Sequence, residues 1–487
     1  MNLIDKYLEI YAKNPAAPVV IEHERTITRS DLLRLTVALS QSLNQQGLTK
    51  GDIVGVALGQ TGFHLATILA LARLGCISLP LAQNSTVEVK ARLMQRFGAK
   101  RIIAPQGVQI PASVERINLG EIKFSKSAES LNLHFIDYWP DENDPARIGL
   151  TSGTMGNPNA VLYSHRYWLQ RINSTFDGCD KETRILPSHL GLTLGNLAAF
   201  AAIFNEGLVI FNNSPNVVDV YASIIRYSVN YAITTPASLE NMITMNRDEG
   251  IAFPSMRQLR VLGGAVSARQ LELARMKLTP NLTHVYGLSE VGIVSYANKD
   301  DLLKHPEFSG HIKPENQVEI IGDNGEILPI GQSGEIRVKI SNMHHSYLDN
   351  DTVSKEKFKD GWFYTKDVGF ITEDGLIRIE GRLDNKINIA GGKFFPETVE
   401  AILMAHPQIQ DAAVFAKMGP EGVPILNAIY QIGEETELNE SLETYCKGKL
   451  KPYMVPKVFT QVQKVPRNQS GKINRTELPK TAMLALH

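Results

Sequence analysis

Five short segments carry residue types from which a nucleotide-handling site can be built. Residues 150–158 read Leu-Thr-Ser-Gly-Thr-Met-Gly-Asn-Pro, so Thr151, Ser152 and Thr154 supply hydroxyls while Gly153 and Gly156 leave the backbone bare. Hydroxyls and amides hydrogen-bond phosphate oxygens, and glycine lets the chain approach them. No Gly-Lys-Ser/Thr ends the run, so it is not a P-loop, and an ordinary polar loop has the same composition. Val261–Ser267 places Gly263, Gly264 and Ala265 after a strand-like run. That is a bare surface on which a flat ring can lie, or equally a tight strand-to-helix turn. Tyr286-Gly287-Leu288-Ser289-Glu290 joins an aromatic ring, a hydroxyl and a carboxylate, suited to a purine and to Mg²⁺ beside phosphate. Asp367, within Gly361–Gly369, is a candidate for gripping two ribose hydroxyls with Arg382 in support; a strand pair with surface charges would read alike. Lys472, on the glycine-containing run Pro466–Arg475, is either a working cation or a solvated surface charge.

The surrounding pattern predicts an α/β scaffold. Thr28–Gln46 sets Leu32, Leu35, Leu39 and Leu43 on one helical face, with Ser30 as the expected cap. Ile53–Leu58 and Cys76–Leu79 read as short buried strands on either side of a helix over Phe63–Leu74. The alternation returns at Gly207–Phe211, Tyr231–Thr234 and Gln258–Leu262, so a mainly parallel sheet covered by helices is expected. After about Gly310 the strands Val318–Ile321, Gly334–Ile340 and Leu376–Glu380 are separated by turn signals such as Asp323-Asn324-Gly325. The last hundred or so residues read as a compact α+β unit. The expected organisation is a large N-terminal domain over 1–383, with mainly parallel sheets and a β-rich subdomain, and a small mobile α+β domain over 384–487.

Composition narrows the classes. At 487 residues the chain exceeds a single ordinary core. A formal net charge of −1 gives no broad field for nucleic acid or anionic lipid. Arg73 interrupts the apolar run near Leu65–Leu74 and Asn205-Glu206-Gly207 breaks the one over Leu197–Phe211, so no membrane span is expected. Met1-Asn2-Leu3-Ile4-Asp5-Lys6 does not open like a signal peptide. Cys76, Cys179 and Cys446 lack paired spacing, which favours a reducing, cytoplasmic setting.

Each segment alone is a weak signal; their order and spacing resemble the adenylate-forming superfamily of acyl- and aryl-CoA synthetases, nonribosomal-peptide adenylation domains and luciferases. The resemblance runs from about Thr26 to Arg475. Leu150–Pro158 is similar to that family's phosphate loop, Tyr286–Glu290 to its AMP-contacting motif, and Pro466–Arg475 to its catalytic-lysine loop; Gly381–Glu400 resembles its hinge segment. The resemblance implies a carboxylate that attacks the α-phosphate of ATP, with pyrophosphate leaving. In it Lys472 bridges carboxylate and phosphate, Glu290 holds Mg²⁺, and Ser289 with the Thr151–Thr154 loop and Gly156 contacts phosphates. Gly264, Ala265, Tyr286 and Gly287 border the nucleotide, and Asp367 with Arg382 binds the ribose. Asp384 is the implied hinge, and Gly391-Gly392 the lining of an acceptor tunnel. Three positions depart from the pattern: Asn159 stands where the phosphate loop has a lysine, Met155 where a second threonine is usual, and Asn388 where a lysine is common.

Leu186-Pro187-Ser188-His189, followed by Gly191-Leu192, resembles the segment ahead of the acyl pocket, with His189, Gly263 and Leu288 expected against the acid. His189 also fits a satisfied structural histidine. No carboxylate lies between Ile185 and Phe204 to pair a substrate ammonium, so an aryl, alicyclic or fatty acid is expected over an α-amino acid. Coenzyme A is the expected acceptor. A carrier-protein phosphopantetheine or an amine is the alternative, and a catalytically weak nucleotide or acyl sensor is the alternative from another class. A dinucleotide oxidoreductase is excluded, because no Gly-x-Gly-x-x-Gly opens a helix after an early strand.

Overall fold

The computed structural model describes the chain apart from residues 120–132, 152–157, 213, 215, 248–249, 265, 342, 390, 420–422, 434–437, 439–440, 469–470 and 486–487. Two sheets dominate the first three hundred residues. One has six strands in the order Glu115–Arg116, Arg101–Ile103, Ile53–Val56, Ile77–Pro80, Pro145–Leu150, Ala160–Ser164. All its neighbours run parallel except the last pair, which is antiparallel. The other has nine strands, and its centre runs parallel through Leu282–Leu288, Gln258–Val261, Tyr231–Thr234, Arg184–Leu186, Leu208–Phe211 and Pro18–Glu22. Strands such as Leu208–Phe211 are apolar along their length because helices cover both sheet faces. The helix Thr193–Phe204, with Ala198–Ile203 fully buried, packs within the largest hydrophobic cluster.

The helix expected over Thr28–Gln46 spans Arg29–Gln45, and its cap is Thr28 rather than Ser30. Thr28 ends the preceding strand with φ −83° and ψ 167°, the extended backbone a cap requires. Its Oγ1 accepts from Asp31 N–H at 3.1 Å, and Asp31 Oδ2 accepts from Thr28 N–H at 3.1 Å, a reciprocal box that Ser30, already inside the first turn, cannot form.

A five-stranded antiparallel sheet follows, built from Gln317–Ile321, Gly334–Lys339, Trp362–Ile371, Phe358–Lys359 and Ile377–Arg382. The strand Ile377–Arg382 runs straight into the short 3₁₀ turn Leu383–Asn385. Beyond it, the hairpin Ile387–Ile389 with Gly392–Phe394 and the sheet of Ile409–Met418, Pro424–Ile432 and Val458–Gln461 pack around Val399, Leu403, Val414 and Leu426, a cluster separate from those before it. Cys76, Cys179 and Cys446 are buried free thiols. No helix of the described residues is long and apolar enough to cross a membrane.

Candidate active site

The ribose-binding candidates meet in one cluster. Asp367 and Arg382 are direct partners across the antiparallel pair Trp362–Ile371 and Ile377–Arg382, and Arg382 Nη1 donates to Asp367 Oδ1 at 2.9 Å. Tyr286, near the end of Leu282–Leu288, donates its hydroxyl to Asp367 Oδ2 at 2.7 Å. Burial, then the Asp367 charge, pushes the Tyr286 hydroxyl well above its ordinary pKa, so it stays a donor. Two strands of one sheet and one of another thus orient a nearly buried carboxylate with both oxygens engaged. Sharing it with ribose hydroxyls requires those donors to yield or bifurcate.

Glu290 is buried four residues further along, in the turn after that strand. Tyr347 donates to its Oε1 at 2.8 Å, and burial followed by the Glu290 charge raises the Tyr347 hydroxyl. The adjoining Ser289 carbonyl accepts from Tyr163 at 3.2 Å and from Arg171 Nη2 at 3.4 Å. The Arg171 guanidinium occupies the space where a Cβ of Gly292, at φ +100°, would stand, so only glycine fits there. One Glu290 oxygen is held by Tyr347, an arrangement that fits Mg²⁺ bound through the carboxylate with phosphate oxygens completing its shell. Gly287 sits where the backbone of Gly292 would collide with a Cβ, so the motif's glycine serves the strand bulge as well as any ligand.

The lysine loop closes against the same region. Arg467 forks onto Asp411 at 2.9 and 2.7 Å and donates to Gly471 O at 2.6 Å, which tightens the turn. Asn468 Oδ1 accepts from Lys472 N–H at 3.0 Å. Gly471, at φ +79°, approaches so near the large unit that a Cβ there would lie 2.5 Å from Thr235 Cγ2. Thr235 caps the helix Pro236–Met245, and Pro236 also borders Gly264. The Lys472 ammonium keeps contact with solvent yet is crowded enough that desolvation lowers its pKa, opposed by Asp367 and Glu290 and reinforced by Arg382. Lys472 is therefore within electrostatic range of Asp367, Arg382 and Glu290, with Tyr286 bonded to the first of these.

The remaining expected positions divide. Thr151 is buried, and its N–H donates to Asn159 O at 2.8 Å, which closes the base of the phosphate loop. Ser152, Gly153, Thr154, Met155 and Gly156 lie outside the described residues, as does Ala265. Asn159 Oδ1 accepts from Asn350 Nδ2 at 3.2 Å. Gly263 takes φ +93° at the strand-to-helix turn, and Leu288 is half-buried against the large core. His189 Nδ1 accepts from Gly191 N–H at 3.0 Å, and burial lowers its pKa, so its ring is neutral with Nε2 the protonated nitrogen. Asp384 takes Arg382 Nη2 at 3.3 Å and Lys366 Nζ at 3.5 Å. Gly391 has open space where a side chain would start, at φ +80°, whereas Gly392 abuts the Tyr453 ring. Asn388 pairs with Lys393 in the hairpin beyond.

Several residues at this site escape sequence reasoning. Tyr347 and Thr235 reach it through tertiary contact alone. Arg147, buried beneath the His189 loop and stacked over Trp168, donates to Leu190 O and Gly191 O at 3.3 Å each; its only sequence signal was a charge inside an apolar strand.

Comparison with known proteins shows the family and the fold. The AMP-binding enzyme family matches residues 9–348, and the AMP-binding enzyme C-terminal domain matches residues 398–472. The 2-succinylbenzoate–CoA ligase of Bacillus licheniformis is 25% identical over 95% of this chain and 97% of its own length. Among solved structures, the o-succinylbenzoate CoA synthetase of Bacillus subtilis in complex with ATP and a magnesium ion superposes with a TM-score of 0.84 at 22% identity, covering 97% of this chain and 99% of that one. The amide bond synthetase McbA of Marinactinospora thermotolerans gives 0.83 at 20% identity, covering 98% and 99%. With family matches spanning both the large and the small unit, this chain belongs to the AMP-binding, adenylate-forming enzymes.

Proposed function

We propose that this enzyme activates an aryl, alicyclic or fatty acid as its acyl-adenylate and then transfers the acyl group to coenzyme A. The observation that carries the reading is the lysine loop seated against Thr235, with Lys472 within electrostatic range of Glu290 and Asp367. A carboxylate oxygen attacks the α-phosphorus of ATP, the new P–O bond forms, and the bond to pyrophosphate breaks. Lys472 offsets the repulsion between the two approaching anions and the charge that builds on the non-bridging oxygens. Tyr286, Arg382 and Asp367 hold the ribose end so that the α-phosphorus faces the acid. Glu290, oriented by Tyr347, would hold Mg²⁺, which when bound neutralises phosphate charge. In the second step a thiolate attacks the acyl carbon and AMP leaves with the bonding electrons. We assign the boundary near Asp384 as the hinge between units 1–383 and 384–487, and the open space at Gly391 as the approach for the acceptor's thin arm.

The absence of any carboxylate over 185–204 supports a neutral-tailed acid over an amino acid. The likeness to an amide bond synthetase favours an amine as the second reading for the acceptor. Pyrophosphate release from MgATP, assayed with aryl, alicyclic, fatty and amino acids and with coenzyme A, a phosphopantetheinyl carrier protein or amines added, tests both. Acid-dependent release that collapses in Lys472→Ala is expected, with thioester as the product. Tight ATP binding with no release for any acid would leave the sensor reading standing instead.

A further inference from the structure

Arg147 is 2% exposed within the strand Pro145–Leu150, and among the described residues no carboxylate pairs with it. Its Nη2 donates to Leu190 O and Gly191 O, and its guanidinium stacks over Trp168, 5.4 Å from the ring centroid. Nε and Nη1 are buried with no acceptor among the described residues. Burial lowers its pKa to about 10, which leaves it a cation at neutral pH. Ser188 Oγ, in the loop that Arg147 holds, is buried and unbonded as well. Tyr163 stands between Arg147 and a second buried arginine, Arg171, whose Nε also lacks a partner and whose Nη2 reaches the Ser289 carbonyl. The carboxylate that acts on Tyr163 is Glu290, and it forms no ion pair with either arginine. Buried donors of this kind are costly unless an acceptor arrives to meet them.

The strand geometry ties this cluster to the reacting centre. Arg147 is the direct partner of Tyr163 across the antiparallel pair, and the Tyr163 hydroxyl donates to Ser289 O, next to Glu290. Gly149, two residues further along the same face of the strand, lies so near the helix Thr193–Phe204 that a Cβ there would stand 3.3 Å from Thr193 Oγ1. That helix begins at Leu192 without a side-chain cap, so the N–H groups of its first turn have no side-chain acceptor. At a rise of about 3.3 Å per residue, Arg147 stands about 13 Å from Thr151 at the base of the phosphate loop, the length of an acid's tail. We propose that Arg147, with the start of the helix Thr193–Phe204, receives an oxygen acceptor at the far end of the acid and so selects oxygenated acids over plain hydrocarbon ones. The oxygen is that of a keto, hydroxyl or carboxylate group. The assignment rests on the adenylate-forming reading for the place of the reacting carboxylate. Arg147 takes no part in bond making; it is a specificity-determining contact.

The test measures acid-dependent pyrophosphate exchange into ATP with three matched series. These are aliphatic and aryl acids of graded length with hydrocarbon tails, their keto or hydroxyl analogues, and the dicarboxylic acids of the same length. In the unaltered enzyme kcat/KM for the best oxygenated acid is expected to exceed that of its hydrocarbon counterpart about tenfold or more, because a site built to hydrogen-bond an oxygen rejects the analogue without it. The leading series tells a neutral oxygen from an anionic one. Arg147→Met should erase the preference, lowering the oxygenated acid about thirtyfold and leaving the hydrocarbon acid and MgATP binding within about threefold. Arg147→Lys should keep part of it. No preference for any oxygenated acid in the unaltered enzyme would overturn the proposal without recourse to a variant. Equal loss with every acid in Arg147→Met would show a merely structural arginine and overturn it too. Absence of exchange with every acid would instead overturn adenylation, with calorimetric titration of the same acids into the unaltered and Arg147→Met proteins still deciding the role of Arg147.

Discussion

Arg382 stands directly across the sheet from Asp367, and its one guanidinium spans two carboxylates: Nη1 donates to Asp367 Oδ1 at 2.9 Å and Nη2 to Asp384 Oδ2 at 3.3 Å. The ribose-binding candidate and the hinge candidate are therefore linked by a single side chain. On the proposed hinge, a rotation about Asp384 would break the second contact while the first could persist, leaving the Asp367 cluster intact.

Removing the shared carboxylate tests the nucleotide half of the site. Asp367→Ala should weaken both ATP and AMP at least tenfold, because the lost contact is to the ribose that they have in common. It also leaves Tyr286 without its acceptor and Arg382 with one carboxylate, at a cost of about 2 kcal/mol in stability. Calorimetric titration with AMP, alongside thermal unfolding, separates the two effects. Unchanged AMP affinity would remove Asp367 from the site.

The lowered pKa of Lys472 predicts an early alkaline limb. Partial desolvation of the ammonium favours its neutral form, so it loses its proton below the 10.5 of a free lysine. Adenylation needs the ammonium, and kcat/KM for the first half-reaction, which reports the free enzyme, should fall as pH rises through that lowered value. Lys472→Arg should abolish the limb, since a guanidinium keeps its charge. For stability the sign is opposite. Between the folded and unfolded values the unfolded chain binds more protons, so this residue's unfavourable contribution is full at lower pH and is relieved as pH rises through that window. A pH profile whose limb is the same in Lys472→Arg would assign it to another group.

Lys366 supplies a test of the hinge. It adopts φ +62°, a left-handed backbone that costs a lysine roughly 1 kcal/mol, and is held there by Glu335 accepting its N–H at 3.0 Å. Its ammonium pairs with Glu356 at 2.7 Å and with Asp384 at 3.5 Å. Lys366→Gly relieves the backbone while removing one of the two cations that hold Asp384, leaving Arg382. Transfer of the acyl group from a preformed adenylate should rise about threefold, with the first half-reaction within twofold and melting temperature little changed. Single-turnover measurement of each half-reaction decides it; equal change in both would deny Lys366 a role at the hinge.

Much of the architecture was legible because buried parallel strands leave short apolar runs. Tyr231–Thr234 coincides with its expected span, and Gln258–Leu262 differs by one residue from the strand Gln258–Val261. The site motifs were legible through residue types crowded into a few positions. What lay hidden was contact between distant segments: Tyr286 with Asp367 is 81 positions apart, and Tyr347 with Glu290 is 57. Nothing in the local sequence marks Tyr347 as a buried partner of a distant carboxylate. Ser30 was misplaced as a cap because two hydroxyls stood near the helix start, and only the extended backbone of Thr28 decides between them.

The docking of the lysine loop yields the sharpest test, because a single methyl decides it. A Cβ at Gly471 would lie 2.5 Å from Thr235 Cγ2 and 3.3 Å from Thr235 Oγ1. Gly471→Ala should therefore hold the loop off its seat and also strain a backbone at φ +79°, by about 1 kcal/mol. The first half-reaction is expected to fall about thirtyfold, because misplacement of a charge-stabilising group by an ångström is costly. Acyl transfer from a preformed adenylate, which does not use this seat, should stay within twofold. Thr235→Ser removes Cγ2 and keeps the hydroxyl that caps the helix by accepting from Ser238 N–H at 3.3 Å. Adding it to Gly471→Ala should recover a good part of the first half-reaction, leaving the backbone strain and the closer Cβ contact as the residue of the defect. Recovery would show that Lys472 acts from the seat beside Thr235; a loss unaffected by the second substitution would trace the defect to the loop's own backbone.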